Sequence, residues 1–102
     1  IGLLQHNGAD MQKVLAAISG TSVWAPVANY LAGSMVAGNF TPQFPIALIE
    51  KDFGYTVQAA RATAAAPTIA AAHGVFRQAI ARGLADQNMT GVVRLFTEPT
   101  PV

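Results

Sequence analysis

Apolar residues recur along this chain at steps of three and four. Met11, Val14, Leu15 and Ile18 form one such series, and Ile46, Ile49, Phe53, Val57, Ala60 and Ala64 a second. Ile69, Ala72, Phe76, Ala79 and Ile80 form a third. Those steps place side chains on one face of a helix. No stretch alternates apolar and polar residues as a half-buried strand does, so the pattern predicts an all-α fold, a compact bundle of about five to six helices.

Punctuation residues divide the pattern. Ile1 to Asn7 reads as the last turns of a helix that Gly8 ends. So short a segment does not nucleate alone, and the chain opens on Ile1 rather than Met, so it reads as cut from a longer one whose helix begins upstream. Asp10 caps a second helix that Ser19 and Gly20 stop. Thr21 or Ser22 is expected to cap a third, with Pro26 in its first turn, Trp24, Val27, Leu31 and Met35 as its apolar stripe, and Gly38 at its end. Residues 39–45 form a loop, and Pro45 suits the first position of a fourth helix running to about Ala64. Pro67 begins a fifth that lasts to Gly83. A short sixth helix is expected over Thr90 to Phe96, capped by Asp86 or Asn88. Residues 1–97 thus make one helical domain, and 98–102, with two prolines, a tail.

Composition narrows the partners. Six Lys and Arg against five Asp and Glu leave a net charge of +1, too weak a field to collect nucleic-acid phosphates. There is no cysteine, and the two histidines are far apart in sequence, so neither a thiolate metal site nor a zinc site is predicted. Absence of cysteine suits a cytoplasmic protein. Mean hydropathy of +0.37 with 11% charged residues is apolar for a small domain. No run reaches the roughly 18 uninterrupted apolar residues of a membrane span, so the expected cover is a second subunit or a further domain.

On the fourth helix, Leu48, Lys51, Asp52 and Tyr55 share the face opposite the apolar stripe, with Phe44 entering beside them. A cation, a carboxylate, a phenol and an aromatic ring at one helix end can wall a polar cleft. On the residues alone, a solvated face carrying an exposed phenylalanine accounts for them more simply.

The order of these elements resembles the C-terminal domain of the β-hydroxyacid dehydrogenases. That family includes 3-hydroxyisobutyrate dehydrogenase and the tartronate semialdehyde reductases, with a domain like that of 6-phosphogluconate dehydrogenase. Phe44 stands eight positions before Asp52, and Lys51 directly precedes it. Gly8-Ala9-Asp10 looks like the turn after the family's interdomain helix, and Ser19 to Trp24 like its Ser-rich segment. Gly38-Asn39-Phe40 resembles the loop before the Phe, and Gly83 to Asp86 a Gly-x-x-Asp near the end.

The resemblance implies a two-domain oxidoreductase in which a Rossmann domain binds NAD or NADP and a helical domain closes the cleft. Hydride would pass between nicotinamide and a small β-hydroxyacid or its semialdehyde. It also implies a homo-oligomer. Lys51 would face the cofactor, Phe44 would shield nicotinamide and substrate from water, and Asp52 would tune the field around the catalytic lysine. Trp24 is a further candidate for the substrate wall, with a core aromatic as the equal alternative. Lys51 and Phe44 are expected to line one open groove. The family's catalytic lysine lies in a Gly-x-x-x-Lys-x-x-Asn segment upstream of this chain. The sequence contains no strand-Gly-x-Gly-x-x-Gly-helix unit, so by itself the chain is expected to be inactive.

Other readings are a 6-phosphogluconate-dehydrogenase-like or imine-reductase-like relative, and a self-contained helical module that binds another protein. His6 and His73 fit partly solvated surface positions better than a base or ligand, since neither has a titratable neighbour at recognisable catalytic spacing.

Overall fold

The computed structural model describes residues 1–61 and 63–99. Six α-helices are formed among them: α1 (Gly2–His6), α2 (Met11–Ser19), α3 (Pro26–Ala37), α4 (Ile46–Ala60), α5 (Pro67–Ala81) and α6 (Arg94–Thr97). Two 3₁₀ segments, Thr63–Ala65 and Met89–Val93, precede α5 and α6. The described residues form no strand, so the fold is the expected all-α bundle.

Its centre is the antiparallel hairpin of α4 and α5. Ile46 and Ala79 are fully buried there, Leu84 is buried beside them, and Phe76, Ile80, Val92 and Leu95 pack around the three. Phe53 meets Phe76 edge to face, ring centroids 5.4 Å apart. Both series of apolar positions on these helices therefore face each other. Around this core the packing is thinner. The accessible surface, 6656 Å², exceeds the roughly 5,500 Å² expected of a folded monomer of this mass, and Leu3, Val23, Val27, Tyr30, Phe44, Leu48, Tyr55 and Phe96 are exposed.

The first and last helices meet. A Cβ on Gly2 would lie 2.6 Å from the Phe96 carbonyl oxygen, so only glycine lets α1 settle on α6. His6, exposed, donates from Nε2 to the same carbonyl at 2.9 Å.

Several boundaries differ from the sequence pattern, each for a local reason. Asp10 caps α2 as expected, its Oδ1 accepting from the Gln12 and Lys13 amides. Thr21 does not cap α3, because its hydroxyl donates backward to the Ile18 carbonyl at 2.7 Å. α3 instead starts at Pro26, since proline drives the preceding Ala25 into an extended conformation, φ −92° and ψ 144°. Trp24 consequently lies before α3 rather than on its stripe, and Val27 is 61% exposed while Ala32 carries the buried contact. Gly38 closes the helix in the left-handed region, φ 69°.

α4 stops at Ala60 instead of reaching Ala64, with Arg61 left-handed at φ 59°. Beyond Arg61 only small side chains follow before Pro67, so a longer helix would bury little for the backbone it orders. Pro45 is the residue before α4, one position earlier than expected. The sixth helix begins as a 3₁₀ turn, and neither Asp86 nor Asn88 gives it a side-chain cap. Of the expected tail, residues 100–102 lie outside the described residues.

Candidate functional site

The face of α4 turned away from the hairpin begins with the loop that feeds it. Phe44 is 59% exposed, and Leu48, Lys51, Asp52 and Tyr55 follow on the same exposed side. The opposite face fixes this direction. Ile46, Ile49, Phe53 and Val57 turn toward α5, and Glu50 accepts a hydrogen bond from His73 Nε2 at 2.7 Å. Successive helix residues are about 100° apart, so holding Glu50 against α5 holds Lys51 and Asp52 outward. His73 is thus half-buried in the hairpin seam rather than a surface residue, and its partner was out of sequence register by 23 positions.

Lys51 makes no ion pair among the described residues, which leaves its ammonium available to an anion. The amino end of α4 is not available in the same way. Its Ile46 and Ala47 amides already donate to the Gln87 and Ala85 carbonyls, at 2.9 and 3.0 Å. Anion attraction at this edge therefore belongs to the lysine side chain and not to open backbone donors.

Phe44 stands in a loop bound from one side by the segment after α5. Asn88, only 4% exposed, accepts the Gln43 and Phe44 amides on its Oδ1, both at 2.9 Å. Its amide nitrogen donates to Thr90 Oγ1 at 3.1 Å. The backbone adds Asn88 N–H to the Phe40 carbonyl and Met89 N–H to the Phe44 carbonyl, at 3.0 and 2.8 Å. On the other side, Tyr30 Oη donates to Gln43 Oε1 at 3.1 Å, tying α3 to the same loop.

Trp24 sits on a different element, the lead into α3, where its indole N–H reaches Asn29 Oδ1 at 3.4 Å. Asn88 and Tyr30 escaped the sequence reading. Asn88 was expected to act as a helix cap because it precedes an apolar run, yet its partners lie 44 and 45 positions away. A polar residue flanked by Leu84, Val92 and Val93 was the available signal that it is buried.

Away from these residues, Ile1, Gly2, Leu3, Met35, Val92, Val93 and Phe96 line an apolar depression of about 330 Å³. No helix among the described residues is long and apolar enough to cross a membrane.

Residues 1–96 match the family described as NAD-binding of NADP-dependent 3-hydroxyisobutyrate dehydrogenase. The chain belongs to that family. No curated protein matches it. The match takes in every α4 residue discussed above together with Asn88 and Tyr30. Membership in the NADP-dependent 3-hydroxyisobutyrate dehydrogenase family makes this a domain of dehydrogenase enzymes that use a nicotinamide dinucleotide.

Proposed function

We propose that the chain serves as the helical, substrate-side domain of an NAD(P)-dependent β-hydroxyacid dehydrogenase, and that α4 presents its outward face to the cleft. The observation that carries this reading is the exposed row Phe44, Leu48, Lys51, Asp52, Tyr55, supported on its other face by buried contacts. An enzyme edge of this kind needs exposed functional groups on a rigid element.

The residues fit a dinucleotide as a second wall rather than as its main binding fold. Lys51, exposed and without an ion pair among the described residues, would hold a phosphate or ribose oxygen by charge. The nicotinamide, when bound, supplies or accepts the hydride. Phe44 covers the reacting centre with an apolar ring and lowers the local water content, which strengthens nearby electrostatic interactions. Asp52, one residue from Lys51, places a negative charge at the same edge and would help set the field around the catalytic lysine. Trp24 forms part of the substrate side at the far end of α3's lead. The proton to and from the substrate oxygen comes from a lysine outside this chain, so the domain alone performs no turnover. The excess exposed surface fits a dinucleotide-binding domain and a second copy of the chain as its cover.

The test is a two-domain protein in which this chain follows a dinucleotide-binding domain. NADH and NADPH fluorescence titrations and hydride-transfer assays over small hydroxyacids are expected to show binding and turnover that F44A and K51A reduce. A two-domain protein that binds neither dinucleotide overturns the proposal and leaves a protein-interaction module.

A further inference from the structure

We infer that Asn88 is a positioning residue for the aromatic wall: it sets where Phe44 stands by holding two consecutive loop amides on one side-chain oxygen. The inference rests on the functional reading above, which gives Phe44 its task, but the clamp itself is a matter of geometry.

The loop before α4 has no regular structure and includes Pro42 and Pro45, neither of which can donate a hydrogen bond. Its remaining donors need partners from elsewhere. Thr41 N–H is satisfied locally by Asn39 Oδ1 at 3.2 Å. The next two, on Gln43 and Phe44, both converge on Asn88 Oδ1. No other residue supplies that pair among the described contacts.

Asn88 suits this place for reasons of size and bonding capacity. A carboxamide oxygen has two lone pairs, enough for both amides, while its NH₂ group is used by Thr90 Oγ1, which fixes which end of the amide faces the loop. Thr90 is fully buried and in turn reaches the Asn39 carbonyl at 3.5 Å. Asn88 itself is held by backbone bonds on either side, Asn88 N–H to the Phe40 carbonyl and Gln87 N–H to the Leu84 carbonyl. A buried residue bonded at three points through its side chain and at a fourth through its backbone N–H therefore meets a loop with an exposed ring at its tip. The ring is free to touch a ligand while its backbone is not free to move.

Such an arrangement acts on chemistry through Phe44 and not by contact with substrate. The consequence is testable by coupling. In the two-domain enzyme, N88A is expected to raise hydrogen exchange at the Gln43 and Phe44 amides more than at α4 and α5. It should also lower kcat by on the order of 10-fold, with a smaller change in KM, since a misplaced wall impairs the closed state more than the first encounter. N88D, which keeps the acceptor, should restore both to within about 2-fold. In an F44A background N88A should add nothing further to the loss, because the residue it positions is gone.

Unchanged exchange at the two amides in N88A overturns the clamp. A loss that persists in full in the F44A background overturns the positioning role in favour of a general structural one. If N88A does not fold, T90V, which releases the amide's orientation, carries the same exchange and coupling readouts. An F44A enzyme with undiminished turnover overturns the role given to Phe44 in the proposed function, and the exchange result then still decides whether Asn88 holds the loop.

Discussion

His73 on α5 and Glu50 on α4 are joined by a 2.7 Å bond between Nε2 and Oε1, with both side chains largely withdrawn from solvent. Gly54 lies directly beside the ring, its position for a Cβ only 3.5 Å from Nε2. The bond spans the hairpin at the level of α4's second turn and so sets how that helix is rotated on α5.

Removing either partner leaves the other half-buried without its hydrogen bond. E50A or H73A is expected to cost about 1 kcal/mol, between the value of an exposed ion pair and that of a fully buried one. The double variant should lose less than the two single losses added together. Urea unfolding of all three variants measures this, and strict additivity would show that the bond contributes nothing.

Two glycines weaken helices without a steric reason. Gly33 in α3 and Gly74 in α5 have nothing within 4 Å of an added Cβ, so alanine there should stabilise by roughly 0.5 to 1 kcal/mol each. That corresponds to a rise in Tm of a few degrees, on the order of 4 °C per substitution. G2A is the contrasting case, because its methyl group would meet the Phe96 carbonyl oxygen at 2.6 Å. Thermal unfolding should show the first two variants up and the third down.

At the carboxyl end, Arg94 donates to Glu98 at 2.6 Å, one turn along, while its guanidinium lies 5.9 Å from the Phe40 ring centre. The hydrogen bond with Arg94 lowers the pKa of Glu98 below the ordinary carboxylate value. A carboxyl whose pKa is lower when folded contributes stability at pH above its unfolded value and loses it as pH falls through the folded one. The order of α6 should therefore decline in acid below about pH 4, more steeply than in E98Q, and the difference should shrink in high salt. Amide exchange of Thr97 and Glu98 against pH measures it; identical acid profiles would rule the effect out.

What the sequence showed of the fold follows from how far each signal reaches. The α4 and α5 stripes were legible because Ile46, Phe53, Phe76 and Ala79 repeat within one helix. The cap at Asp10 and the stop at Gly38 act within a few residues and were legible too. The start of α3 was misread because Thr21 can bond backward as readily as forward, and only Pro26's effect on Ala25 decides. Of the candidate site, the shared face of Lys51 and Asp52 is local and was visible. Asn88's hold on Phe44 and His73's on Glu50 join distant segments, and no local pattern encodes them.

Lys51 offers a separate test, because its role in the proposed cleft is one of charge rather than shape. In the two-domain enzyme K51M should weaken dinucleotide binding by about 10-fold at low ionic strength, the scale of one exposed charge contact losing roughly 1 kcal/mol or slightly more. K51R keeps the charge and should lose far less. Salt supplies the internal control: raising ionic strength screens an exposed pair over about 10 Å, so the gap between wild type and K51M should close as salt increases. D52N should shift binding in the opposite direction, since it removes a negative charge beside the same phosphate. Titrations at two salt concentrations give all four results, and equal affinity of wild type and K51M at low salt would remove Lys51 from the cofactor's surroundings.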